Sequence, residues 1–135
     1  MVDAERINAM IDEHWPASPI RCEQVDAETA VAVLRPRPSA LRPGGFISGP
    51  VQFAVADSAL WFLVSGVAGE PEPMALTSEL SIRYLRPAIG ELVRAKATLE
   101  RAGRRTVVAT VRVWTDDPGK PCATAQGTYF RAQRS

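Results

Sequence analysis

Three rhythms of hydrophobic and polar residues run along this chain, and each predicts a different kind of element. Over residues 3–15, Ala4, Ile7, Ile11 and Trp15 recur at near-helical spacing among acids and Arg6, so a short amphipathic helix is expected there, ended by Pro16. Residues 20–25 and 29–34 alternate or run β-branched on either side of Asp26-Ala27-Glu28, the pattern of two strands and a first hairpin. Arg35-Pro36-Arg37-Pro38 cannot be helical and reads as an exposed connection. The second rhythm is a near-absence of polar positions. Residues 51–67 are apolar on every helical face, so that helix should be enclosed by other elements. Pro50 suits its first turn, with Ser48 or Gly49 as the cap, and Gly66 and Gly69 close it. After the stiff Glu70-Pro71-Glu72-Pro73 loop, period two takes over. Leu76, Leu80, Ile82 and Tyr84 alternate with Thr77, Glu79, Ser81 and Arg83 within 74–85. Residues 92–101 and 105–114 form the clearest hairpin, joined at Ala102-Gly103-Arg104, and Asp116-Asp117-Pro118-Gly119 leads into a last strand over 122–130.

These elements imply an α+β protein: a curved antiparallel sheet of five or six strands wrapped around a long central helix at about 50–67, preceded by a short N-terminal helix. At 135 residues with 46% apolar content, one domain over residues 1–135 is expected. Sixteen basic and fifteen acidic residues leave a formal charge of +1, which indicates no nucleic-acid footprint. Cys22 and Cys122 stand too far apart for metal-ligand spacing, so both are expected as reduced thiols, and no metal is expected. His14, the lone histidine, falls at a helix C-terminus, where an imidazole interacts well with the dipole, and no cluster beside it suggests metal or a catalytic dyad. The first fifteen residues hold four acids and no apolar run of the secretory type, so a cytoplasmic location is expected. A membrane span over 51–67 is disfavoured because Asp57 would cost about 2.5–3.5 kcal/mol at its centre.

Asp57 is the chemically informative residue. A helix meant for a core has few reasons to carry an acid, and an unpaired buried carboxylate costs several kcal/mol unless it is hydrogen-bonded, hydrated in a cleft or protonated. Three stretches around it, SGPVQFAVADSALW, LTSELSIRYLRPAIGELVRAKATLERAGRRTVVATVRVW and ATAQGTYF, together resemble the hotdog-fold acyl-CoA thioesterases of the 4-hydroxybenzoyl-CoA and phenylacetate-pathway type. The resemblance covers roughly residues 34–130. It implies a hotdog fold, a CoA thioester as substrate, no separate cofactor, and a homodimer or homotetramer. The family's His-Gly-Gly corresponds to Ser48-Gly49-Pro50, and its helical acid to Asp57. Its threonine or serine at the next strand corresponds to Thr77, and an asparagine often found before the histidine to Arg42. Ser48, Pro50 and Arg42 are therefore departures.

The chemistry of thioester hydrolysis explains these positions. Attack on the carbonyl creates an oxyanion, which a backbone N–H at a helix start stabilises by hydrogen bond and dipole together, the role expected of Gly49. A carboxylate then serves as general base for water or attacks directly to form an anhydride, and Asp57 is the only acid in the helix. Thr77 would orient the water and Ser48 would support it. Eight residues at ~1.5 Å each place Gly49 and Asp57 roughly 12 Å apart on one helix, too far to serve one carbonyl. Two helices packed antiparallel about a two-fold would pair Gly49 of one copy with Asp57 of the other, so a homodimer with two shared sites is expected. Trp61, one turn beyond Asp57, and Gln52 are candidate acyl contacts. Arg83, Arg86, Arg101, Arg104 and Arg105 are candidates for the phosphates of CoA, because guanidinium pairs with phosphate bidentately. The alternative function is a hotdog module that binds acyl-CoA or a related ligand with little or no turnover. A hotdog dehydratase fits less well, since that chemistry wants a histidine beside an acid and His14 lies outside the helix loop.

Overall fold

The computed structural model describes residues 1–132. Helix α1 (Ala4–His14) starts where the Asp3 carboxylate accepts the Arg6 N–H at 2.9 Å, and it buries Ile7, Met10 and Ile11. Strands β1 (Arg21–Val25) and β2 (Thr29–Leu34) follow as an antiparallel hairpin. The Arg-Pro connection is extended as expected, apart from a single 3₁₀ turn at Pro38–Ala40. A small hairpin of β3 (Leu41–Arg42) and β4 (Phe46–Ile47) then lies just before the central helix. Two-residue strands leave too little alternation to be seen in the sequence.

Helix α2 (Gly49–Ala68) extends one residue beyond the expected 50–67 at each end. Ser48 is the cap, its hydroxyl accepting the Val51 N–H at 3.4 Å, and Gly69 ends the helix in the left-handed conformation at φ 78°. Strands β5 (Leu76–Tyr84), β6 (Val93–Ala102), β7 (Thr106–Trp114) and β8 (Ala123–Phe130) complete one six-stranded sheet, ordered β1-β2-β6-β7-β8-β5 with every neighbour antiparallel. The core lies between this sheet and α2. Gly66 marks the closest approach, since a Cβ there would stand 2.0 Å from the Asp26 carbonyl oxygen in the β1–β2 turn.

The helix is not enclosed on every side. Val55, Ala56, Ala59, Leu60 and Leu63 are fully buried, whereas Ala54 is exposed and Val51, Phe53, Asp57, Ser58 and Trp61 are only partly covered. A six-stranded sheet curves around one side of a rod and leaves the stripe Pro50-Ala54-Asp57-Trp61 outside it. By length and composition α2 would span a membrane, but most of it is a core helix packed on β2, β6 and β7.

Strand β5 also departs from simple alternation. It is an edge strand paired only with β8, and Leu76 and Tyr84 are 66% and 47% exposed. Its register against β8 is irregular between Thr77 and Glu79. On the far side of that bulge Leu80, Ile82 and Tyr84 stand opposite Gly127, Ala125 and Ala123, which face inward; on the near side Thr77 stands opposite the buried Tyr129. Strict alternation would turn Thr77 outward with Glu79, Ser81 and Arg83. One extra residue reverses the phase and aims Thr77 at α2.

Candidate active site

The consequence of that phase reversal is a carboxylate held by two hydroxyls. Thr77 Oγ1 donates to Asp57 Oδ1 at 2.7 Å, and Tyr129 donates its hydroxyl to Oδ2 at 2.8 Å. The two donors are direct cross-strand partners on β5 and β8, so a single sheet position fixes both bonds. Tyr129 is 4% exposed; burial first, and then the charge of Asp57, push its hydroxyl above the ordinary tyrosine range, so it remains a proton donor. A carboxylate can accept about four hydrogen bonds, so Asp57 keeps lone pairs for a further partner. Among the described residues it enters no ion pair. Beside it opens a cavity of about 360 Å³, whose wall includes Trp61, Ala75, Leu76 and Trp15 as well as Asp57, Thr77 and Tyr129. The Trp61 indole N–H donates to the Glu72 carbonyl at 3.0 Å, which sets its ring against this cavity.

Gly49 sits at the other end of this helix stretch. Its carbonyl accepts the Tyr84 hydroxyl at 2.7 Å, and a Cβ at Gly49 would come within 3.1 Å of that ring, so glycine leaves the helix start accessible beside Tyr84. Its N–H makes no hydrogen bond among the described residues. Along one chain, then, the helix start and the carboxylate remain roughly 12 Å apart, by the helical rise of ~1.5 Å per residue.

Several expected site residues are placed elsewhere. Gln52 is 4% exposed and donates from Nε2 to the Ile47 carbonyl at 3.1 Å; it shares the sheet-facing side of α2 with Ala56, Ala59 and Leu63, which places it in the core of the single chain and outside the residues lining the Asp57 cavity. The Ser48 hydroxyl caps α2 and lies a further residue from Asp57 than Gly49 does. Arg83 pairs with Thr124 on the outer face of the sheet, where it lines a hollow with Lys96 and Arg112, separated from Asp57 by the sheet itself. Arg42, in the β3–β4 hairpin, and Arg86, just after β5, are exposed near the start of α2. Arg101 is exposed at the end of β6, outside the residues lining these hollows. Arg104 and Arg105 line a groove of about 1190 Å³ with Arg131, and that groove shares Leu76 with the Asp57 cavity. Tyr129 was missed. Period two counted from Ala123 puts it inward, but nothing in the sequence says which inward residue of β8 meets Asp57.

A sheet curled over one long helix that carries a single cleft-facing acid defines the class: this is a hotdog fold. The thioesterase superfamily model matches residues 44–122, more than half of the chain, a stretch that includes Asp57 and Thr77. The chain belongs to the thioesterase superfamily. Solved structures agree in shape. A candidate thioesterase from Silicibacter sp. TM1040 superposes with a TM-score of 0.85 at 25% identity, over 98% of this chain and 94% of that one. A variant of the phenylacetic acid degradation protein PaaI from Thermus thermophilus gives 0.71 at 27% identity, over 90% and 100% of the two chains. The PaaI protein of the E. coli phenylacetic acid degradation operon gives 0.77 at 21% identity, over 97% and 94%, which is a likeness of fold. No curated protein matches by sequence.

Proposed function

We propose that this protein hydrolyses an acyl- or aryl-CoA thioester to the free acid and CoA, at sites shared across a homodimer. The observation that carries this reading is the Asp57 carboxylate, held by Thr77 and Tyr129 at the edge of a cavity and, among the described residues, in no ion pair. In the base route, Asp57 takes a proton from water as the water oxygen attacks the carbonyl carbon. In the nucleophile route, a carboxylate oxygen attacks, an anhydride forms, and water cleaves it. In both, the C–S bond breaks and CoA leaves as the thiolate, which is then protonated. The oxyanion goes to the Gly49 N–H at the start of the partner's helix, where the dipole adds to the hydrogen bond.

Three features favour the dimer. Asp57 and Gly49 of one chain are too distant for one carbonyl; the stripe Pro50-Ala54-Asp57-Trp61 of α2 is exposed or only partly covered among the described residues; and β5 is an edge strand of the sheet. Arg86, exposed just after β5, and the groove lined by Arg104 and Arg105 offer guanidinium groups suited to the phosphates of CoA. Trp61 fits an aromatic or bulky acyl group. A binding protein with little turnover is the second reading, favoured by Pro50, which lacks an N–H, and by Ser48, whose hydroxyl caps the helix.

The test is thiol release from a panel of acyl-CoAs by wild type and by Asp57→Ala, with molar mass measured in solution. Release that vanishes in the variant, from a dimer or tetramer, supports hydrolysis. An unchanged rate in Asp57→Ala, or a monomeric active enzyme, overturns the shared site; tight binding without release leaves the second reading.

A further inference from the structure

We infer that Trp15, from the segment that follows α1, closes the acyl end of the Asp57 cavity and limits the length of the group held there. The inference rests on the hydrolase reading for what the cavity holds, but it concerns residues outside the stretch 44–122 that matches the superfamily.

The Asp57 carboxylate and its two hydroxyl donors stand at one part of the cavity, and Trp61 stands four residues further along α2, about 6 Å along the axis. That is room for an aryl ring or a short chain. Beyond it, Trp15 meets Trp61 edge to face, with ring centroids 5.3 Å apart and planes at 89°. Trp15 and Trp61 both line the cavity, together with Ile11 and Ser18 from the same N-terminal segment as Trp15. An acyl group longer than this interval meets an indole wall.

The wall is held in place at its backbone. The Trp15 N–H donates to the Ile11 carbonyl at 2.7 Å, its own carbonyl accepts from Ser18 N–H at 2.9 Å, and Pro16 restricts the chain next to it. The side chain, however, is 45% exposed, with His14 and Trp61 as its ring neighbours, so its removal opens the cavity without emptying the core. Trp61 keeps its bond to Glu72 and remains as a floor. A substitution at Trp15 therefore alters the length of the pocket and leaves the carboxylate and its donors as they are.

The experiment compares wild type, Trp15→Ala and Trp15→Phe with phenylacetyl-CoA, hexanoyl-CoA and dodecanoyl-CoA, reading kcat/KM by thiol release. The quantity compared is the ratio of dodecanoyl- to phenylacetyl-CoA within each preparation, which is insensitive to the fraction of protein folded. Trp15→Ala is expected to raise that ratio by roughly tenfold to a hundredfold, in line with the discrimination one pocket wall supplies, and Trp15→Phe to keep it within a few-fold of wild type. Equal ratios in all three proteins overturn the inference. Should no thioester be cleaved by any of them, the hydrolase reading falls. The same ratio is then read from dissociation constants by calorimetric titration with the same three thioesters. A shift confined to Trp15→Ala sustains the length limit, and an unchanged ratio or absence of binding overturns it.

Discussion

Removing one oxygen atom tests the geometry at Asp57 most directly. Tyr129→Phe deletes the hydroxyl that donates to Oδ2 and leaves the ring, which is almost wholly buried, to fill the same space. A hydrogen bond to a charged group contributes about 1.5–3 kcal/mol, and at 1.36 kcal/mol per decade that corresponds to roughly a ten- to hundredfold change. Thr77→Val removes the other donor on a more exposed side, where the net worth of a hydrogen bond is about 0.5–1.5 kcal/mol, hence a few-fold to about tenfold. The carboxylate is needed in one orientation in the transition state, so the loss should fall on kcat with KM changed by less than about threefold. Because both donors grip one carboxylate, the double variant should lose less than the product of the single losses. The assay is steady-state thiol release, with melting temperatures measured in parallel to separate rate from folding. If Tyr129→Phe keeps the wild-type kcat while Asp57→Ala is inactive, orientation by the tyrosine is not part of the chemistry and the argument fails.

Four further outcomes test how the scaffold holds this site. Gly66→Ala places a methyl group 2.0 Å from the Asp26 carbonyl, so α2 must shift; overpacking of this kind costs about 1–3 kcal/mol or more, and the melting temperature should fall by roughly 10 °C. Ser48→Ala removes a helix cap and should lower stability by about 1 kcal/mol in urea titrations; a fall in kcat much larger than the loss of folded protein would instead assign the hydroxyl to the chemistry. Asp26 accepts the Glu28 and Thr29 backbone N–H groups at 2.8 Å each, and chiefly the Glu28 bond holds its carboxyl below the usual range. Its contribution is thus present above the unfolded value of about 3.9 and is lost as pH falls through the lower folded one, so the gap in urea midpoint between wild type and Asp26→Ala should close in acid. Burial pushes the Cys22 thiol up to about 12, so iodoacetamide at neutral pH should leave Cys22 unmodified in the folded protein and label it after denaturation, as read by mass spectrometry of peptides.

Hydrophobic spacing alone determined most of the elements, because period and burial are local properties. The two long antiparallel strands after the central helix, the helix itself within one residue at each end, and the lone acid inside it were all legible in the chain. Asp57 stood out because an acid in an apolar helix requires a physical reason wherever the helix ends up. What the chain order could not contain was phase and company. A bulge between Thr77 and Glu79 reverses which side of β5 faces inward, and that reversal, together with the pairing of β5 to β8, brings Thr77 and Tyr129 onto the same carboxylate from positions twenty and seventy-two residues away. Gln52 and Arg83 show the same limit: a polar or basic side chain announces its chemistry, but only the packed sheet decides whether it points at the core, at the cleft or at the opposite face. The registers between strands are set by contacts distant in the chain, and no local pattern encodes them.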